Sequence, residues 1–463
     1  MSDVLVLGAG PTGLMAALDA ATAGRSCTVL EASDRVGGMA GSFEVAGQRV
    51  DFGSHRLHPA SPQPLLDQLG TLLGDDLQVR PRAGRLHLGG RWVGFPLRVG
   101  ELVRRLPPAF AARLVADAGI STVRGVVDRR APATFDDEIR ARFGPLVADR
   151  FYGPYARKLY GVAPEELDVE LAERRVSASS PIDIARRLVK ATTPTGRTFL
   201  YPRRGYGQIC EALADAAVAA GATIELNTAV TGVKAGADGV VVDTDGGGRH
   251  EAATALSTIP LPVLSQIVDP APPADVVDAL GRVRTRGMVL AYLVLDRPQY
   301  TPFDAHYLPG LETMTARLSE PKNYRDGDDP ADTTVLCAEI ACWPDDELWN
   351  ASPDEVAGRV VDDLARLGLP DATPAEVELR HLRSVYPVYD RDTADARATI
   401  DDWTRTSGRL MTLGRQGLRV IDNLHHVLAM GSAAVASIDD DGAIDTARWH
   451  AHLDDFAAHT VED

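Results

Sequence analysis

Residues 3–31 read DVLVLGAGPTGLMAALDAATAGRSCTVLE, and the order of residue types in this stretch decides the fold. DVLVL is a continuous apolar run of the kind buried on both faces of a parallel sheet. Gly8, Gly10 and Gly13 follow, then apolar residues at helical spacing up to Gly24, then a second apolar strand, CTVL, that leads into Glu31. Each glycine has its own task. Gly8 permits a tight turn, Gly10 lets backbone amides approach a pyrophosphate, and Gly13 allows the helix to pack closely on the strand. The helix N-terminus favours phosphate, and Glu31, 18 residues after Gly13, can accept hydrogen bonds from a ribose diol. The stretch therefore predicts a dinucleotide-binding unit at the start of an α/β fold of the Rossmann type.

Residues 31–42, EASDRVGGMAGS, choose between dinucleotides. Arg35 and the pair Gly37 and Gly38 stand where a nicotinamide-dependent chain would continue into its next helix. A cationic side chain and a second glycine bend suit an extended cofactor whose pyrophosphate and ribityl chain run along the protein. That favours FAD over NAD.

GAGPTG…LEASDRVGGMAGS resembles the N-terminal signature of the large FAD-dependent family that includes amine oxidases, protoporphyrinogen oxidase, carotenoid desaturases and UDP-galactopyranose mutase. GRQGLRVIDNLHHVLAMGSAAV, from Gly414, is similar to the C-terminal flavin segment of these proteins, in which a Gly-Arg strand end leads to a helix whose N-terminus lies near the ring. The resemblance implies cofactor contacts from Gly414, Arg415, Asn423 and His425. It also implies that the chain enters the FAD-binding domain three times, through residues 1–60, 201–260 and 401–463. Residues 61–200 would then form a mainly helical cap and 261–400 an α+β substrate segment. The middle return, from Tyr201, predicts a helix from about Gln208 to Ala220 and then the strand TIELN.

DFGSHRLHP, residues 51–59, sets His55 and His58 three residues apart. The sequence offers no obvious third ligand to converge with them, so no metal is expected. The run is similar to a mutase segment, Gly-x-His-x-x-His, that lies against one face of the flavin. This implies cofactor contacts from Ser54 and His55, with His58 behind. His55 is read as hydrogen-bonded to ring or backbone, or as a base, because imidazole titrates near neutrality. TARLSEPKNY, from Thr315, resembles a segment in which the mutases carry an arginine that holds the substrate diphosphate, and Arg317 falls there. LAERRVSAS, from Leu171, resembles the segment with the other arginine, but Ala178 stands about four residues beyond the match at Arg174, where the pattern has that arginine. YPVYD, from Tyr386, fits a late substrate-side element. The candidate catalytic residues are His55, Arg317, Tyr386 and His425, the last standing where relatives often carry an acid.

Composition narrows the function classes. The chain has 463 residues, enough for two or three domains, and lacks any apolar run near the roughly 18 residues that span a membrane. Its first residues run straight into a strand without a basic leader, so a cytoplasmic location is expected. Cys27, Cys210, Cys337 and Cys342 are scattered and read as reduced, structural thiols. A net charge of −17 argues against nonspecific nucleic-acid binding. The charge is uneven: between Arg80 and Arg204, 24 Lys and Arg face 13 Asp and Glu, which leaves −28 elsewhere. Such a basic segment suits an anionic ligand or membrane surface. RVGELVRRLPPAFAARLVADAG, from Arg98, has the helical spacing of an interfacial segment, but Pro107 and Pro108 interrupt it and a pair of cap helices is expected.

Three readings of function follow from the resemblance. The first is an FAD-dependent oxidoreductase that removes hydride from a small anionic or sugar-containing substrate by dehydrogenation, desaturation or amine oxidation. The second is a flavin-dependent, non-redox nucleotide-sugar mutase, and the third a binding subunit with structural flavin. The half-dismantled arginine pair and the length of the 261–400 region favour the first. The expected partner is a small molecule, with phosphorylated and nucleotide-linked compounds within range.

Overall fold

The computed structural model describes residues 2–95, 104–110, 112, 113, 116, 117, 131–175, 198–405 and 408–461. Strand β1 (Ser2–Leu7), helix α1 (Pro11–Thr22) and strand β2 (Cys27–Leu30) form the unit expected from the first 31 residues. β1 pairs in parallel with β2 on one side and with β3 (Arg249–Ser257) on the other. Thr223–Glu225 extends the sheet beyond β2, and Leu410–Thr412 pairs in parallel with the end of β3. An antiparallel hairpin, Val230–Ala235 with Val240–Thr244, joins the first half of β3 and completes an eight-stranded sheet with Val268–Asp269.

Small residues decide how the helices lie on this sheet. A Cβ at Gly13 would stand 2.1 Å from the Gly8 carbonyl oxygen, so only glycine lets α1 approach β1 this closely. α1 packs against α2 (Gln208–Ala219) and against α3 (Leu424–Ala436). A Cβ at Gly431 would lie 2.4 Å from the Thr12 carbonyl oxygen, so α3 is seated directly on the first helix. Helix α4 (Thr446–Ala457) then packs on α3.

A second, seven-stranded sheet carries the substrate side. Its order begins with β7 (Glu376–Pro387), β4 (Thr285–Leu295), β6 (Thr334–Cys342) and β5 (Arg317–Ser319), all antiparallel, and continues through Ala305–Tyr307, Gly84–Leu88 and Arg91–Phe95. β4 is apolar on both faces because both are covered. Met288, Leu290, Tyr292 and Val294 meet one core with Phe135, Ile139 and Leu159 from helices Phe135–Phe143 and Gly153–Tyr160. Val289, Ala291, Leu293 and Leu295 meet another with Val356, Val360 and Leu364 from helix Pro353–Arg366.

Among the described residues, 61–200 hold helices such as Gln63–Leu73, Phe135–Phe143 and Gly153–Tyr160 and also strands that the sequence reading did not name. Leu86 and Leu88 alternate with Arg85 and His87, and this period of two makes Gly84–Leu88 a strand that extends the substrate sheet. Leu77–Pro81 pairs with Thr198–Pro202. Ala178 and half of the stretch from Arg98 to Gly119 lie outside the described residues. Among the described residues, no helix is long and apolar enough to cross a membrane.

Candidate active site

The two ends of the chain meet at a glycine-lined groove. Gly8 adopts φ +107°, and Gly10 caps α1 with no atom within 4 Å of where a Cβ would be. Gly37, at φ +110°, donates its N–H to the Ala9 carbonyl at 2.8 Å, and a Cβ on Gly38 would lie 3.6 Å from the Gly10 Cα. The second glycine bend is therefore docked on the first. Glu31 ends the β2 segment with Oε2 accepting from the Ala9 amide at 2.7 Å and Oε1 from Ser33. Arg35 stands half exposed and pairs with its neighbour Asp34 at 2.9 Å. Gly414, at φ +79°, packs on Thr12, where a Cβ would stand 2.9 Å from the threonine hydroxyl.

This cradle fits an FAD. Amides at the α1 N-terminus face open space for a pyrophosphate, a carboxylate stands at the end of the second strand for a ribose, and the second glycine bend continues the groove. Gly8, Gly10, Glu31, Gly37, Gly38 and Gly414 would hold the dinucleotide, while Gly13 seats the helix on the strand.

Arg415 and Gln416 tie this region to the substrate sheet. Arg415 donates to the Val385 carbonyl at 2.7 Å and Gln416 to the Ser384 carbonyl at 2.7 Å, both near the end of β7. Tyr386 follows, buried, with its ring edge-on to Tyr160 at 5.8 Å and under the Arg175 guanidinium at 5.6 Å. Burial lowers the Arg415 pKa and the like charge of Arg175 adds to that, while Tyr386 opposes it. Neighbouring arginines on helix Val169–Arg175 point differently: Arg174, singled out from sequence, pairs with Glu170 at 2.8 Å, whereas Arg175 faces Tyr386.

The stretch 51–58 crosses between the two sheets, held by Asp51. That buried carboxylate accepts from Ser42 Oγ at 2.6 Å, from the Tyr206 amide at 2.9 Å and from the Tyr201 hydroxyl. His55 stacks on Tyr206 at 5.0 Å, and its Nε2 lies 3.1 Å from the Phe52 carbonyl, which places the ring proton there and the lone pair on Nδ1. Burial pushes the His55 pKa below its ordinary value, and Asp51 only partly offsets this. Ser54 turns toward the substrate sheet: its amide donates to Glu339 at 2.7 Å and its hydroxyl meets Tyr324 at 2.5 Å. His58 accepts from the Ala60 amide at 3.1 Å.

Arg317 lies on β5 beside Glu339 on β6, and the two form a two-pronged ion pair of 2.8 and 2.7 Å. Glu339 holds the guanidinium charged although burial opposes it. The neighbouring Arg56 donates to Asp304 at 3.0 Å, to Tyr307 at 3.1 Å and to Tyr324 at 3.2 Å. Arg56 and Tyr307 line a cleft with Arg82, Gly84 and Phe95. Glu339, Tyr307, Tyr324 and Asp304 were not singled out from sequence. Their partners lie 22 to 285 residues away, so no local pattern marks them. Arg56 sits inside the quoted stretch but was passed over beside two histidines.

Asn423 caps α3, and His425 stands at the start of that helix, 3.4 Å from Ser61 Oγ. Burial, then His426, His459 and His58, push the His425 pKa down to about 4, so its ring is neutral near pH 7. Tertiary structure thus brings the N-terminal glycines and the Gly414–Arg415 turn to one groove. It sets Arg317 within a separate cluster of polar residues on the substrate sheet.

A Rossmann-type cradle that fits FAD, carried beside a seven-stranded sheet, and the family match together place the chain among the FAD-dependent oxidoreductases. The chain belongs to the flavin containing amine oxidoreductase family, whose model matches residues 11–414. It is 24% identical to coproporphyrinogen III oxidase of Mycobacterium tuberculosis over 416 residues, 85% of this chain and 89% of that one. A local match to putrescine oxidase of Kocuria rosea, 47% identical, spans 70 residues and 15% of either chain. Among solved structures, reduced UDP-galactopyranose mutase superposes with a TM-score of 0.78 at 20% identity, covering 95% of this chain and 94% of that one. Putrescine oxidase bound to putrescine superposes with a TM-score of 0.66 at 20% identity, over 94% and 98% of the two chains. The resemblance drawn from the two terminal motifs is borne out.

Proposed function

We propose that this enzyme oxidises a small anionic substrate at a C–H bond, with the anionic group bound on the Arg317 side of the site. The observation that carries this reading is the concentration of cationic and hydroxyl donors there: Arg317, Arg56 and Tyr307 beside a cleft that also includes Arg82. Bound flavin supplies the two-electron chemistry. Glu339 orients Arg317, whose two-pronged pairing leaves the third guanidinium nitrogen for the substrate. His55, neutral and with its Nδ1 lone pair directed away from Phe52, is assigned as the proton acceptor. Tyr386, held between Tyr160 and Arg175, is assigned as a wall of the substrate site.

The test is anaerobic mixing of the holoenzyme with amines, carboxylic acids and phosphorylated sugars. Bleaching of the flavin spectrum by an anionic compound alone is expected. Bleaching by uncharged amines only would remove the anion from the reading. Turnover of a nucleotide sugar only after chemical reduction of the flavin, with no net electron uptake, would replace the oxidoreductase by the mutase. The position of Arg317 supports that second reading, but Arg174, engaged with Glu170, does not.

A further inference from the structure

Asp422 immediately precedes the cap of α3 and is almost completely enclosed, its side chain 1% exposed. His426, one turn into α3, places Nδ1 3.3 Å from Asp422 Oδ1, and His459, just beyond α4, places Nδ1 3.4 Å from the same oxygen. Neither contact is aligned as a hydrogen bond, and both Asp422 oxygens and His459 Nδ1 are buried without a hydrogen-bond partner. His426 Nδ1 accepts the Asn423 amide proton at 3.3 Å, so it carries no proton to give to the carboxylate. The nearest cations are directed elsewhere: Arg415 donates to the Asp422 main-chain oxygen at 3.4 Å, and Arg174 to Glu170.

A buried carboxylate without a donor is costly, and one faced by two imidazole nitrogens has an economical remedy. We infer that Asp422, His426 and His459 form a binding site for a divalent transition-metal ion, with zinc as the best-suited ion. The three ligand atoms lie within 4.8 Å of one another. Corners of a tetrahedron with metal bonds of about 2.0–2.1 Å stand about 3.3–3.4 Å apart, which matches the two Asp422–histidine separations. An octahedral ion at the same bond length would bring neighbouring ligands to about 3 Å. Two imidazoles and one carboxylate also suit zinc better than calcium or magnesium, which prefer oxygen. The His426 and His459 rings are stacked at 4.0 Å and 16°, so coordination requires one ring to turn about its Cβ–Cγ bond, a soft rotation, and His426 Nδ1 would give up the Asn423 amide, which now occupies its single lone pair, for the ion. The fourth position is open to water. The ion would pin the C-terminal residues to the start of α3, where Val461 already donates to the Arg174 carbonyl at 2.8 Å.

The test uses the FAD-loaded protein, freed of any affinity tag, treated with chelator, dialysed against zinc and analysed by elemental mass spectrometry. About one zinc per chain is expected for the native protein and for His452→Ala, which changes a histidine of α4 outside the cluster. Background zinc is expected for His459→Ala and Asp422→Asn, with FAD content retained in His459→Ala as evidence of folding. Thermal unfolding should shift upward with zinc in the native protein and not in His459→Ala. A native protein that retains no zinc, or a His459→Ala variant that retains as much, overturns the site.

Discussion

Replacing Arg317 by methionine leaves Glu339, whose side chain is 3% exposed, with the Ser54 amide as its one remaining donor among the described residues. Removing one partner of a buried ion pair costs about 3–5 kcal/mol. Arg317 is 20% exposed, so a loss near the lower limit, about 3 kcal/mol, is expected. Glu339→Gln alone strands the cation and should cost a similar amount. The double variant Arg317→Met/Glu339→Gln removes both charges and keeps an acceptor for Ser54, so it should lie within about 1 kcal/mol of the native protein. Urea unfolding of the four proteins completes the cycle. For anion binding, loss of a hydrogen bond from a charged donor, about 1.5–3 kcal/mol, predicts affinity weakened about 10- to 100-fold. FAD content should be retained, because the atoms nearest Gly8, Gly10, Gly37, Gly38 and Gly414 belong to neither Arg317 nor Glu339. Calorimetric titration with the anionic compound that bleaches the flavin measures this. A double variant as unstable as the sum of the singles, or anion affinity within twofold of native in Arg317→Met, refutes the reasoning.

Glu31→Ala removes the carboxylate at the ribose end and should weaken FAD about tenfold or more, measured by fluorescence titration of the apoprotein, and because it also strands the buried Ala9 amide it should cost about 1–3 kcal/mol of stability. Gly431→Val forces side-chain atoms against the Thr12 backbone and should destabilise the protein by at least about 3 kcal/mol in urea unfolding, because backbone cannot move aside as a flexible side chain can. Burial, reinforced by Arg85, pushes the His306 pKa to about 3 from 6.5. The unfolded chain therefore binds this proton first, and stability is full above pH 6.5 and falls as pH drops through the window toward 3. The contribution between pH 7 and 5 is about 2 kcal/mol, and His306→Phe should reduce the acid sensitivity of unfolding by that amount.

The dinucleotide unit was legible because its constraints are local. A buried parallel strand, a glycine that must turn and a glycine that must let a helix approach are adjacent in sequence, and each is set by backbone sterics. The C-terminal segment was legible through its likeness to a family, and its meeting with the first helix depends on glycines at positions 414 and 431. The strand Gly84–Leu88 was missed inside a segment expected to be mainly helical, although its alternation is present in RLHL.

Tertiary structure alone decided the partners. Glu339 became the mate of Arg317 because β5 and β6 pair in that register, and Ser54 joined them from 285 residues away. Arg175 rather than Arg174 met Tyr386 because consecutive helix residues point about 100° apart. Asp422, His426 and His459 share no motif, since the fold of α4 against α3 supplies the third group. Backbone conformation is governed by neighbours along the chain, whereas charges and lone pairs act through space, so this sequence by itself declared its cofactor cradle and left its polar chemistry to be assembled by the fold.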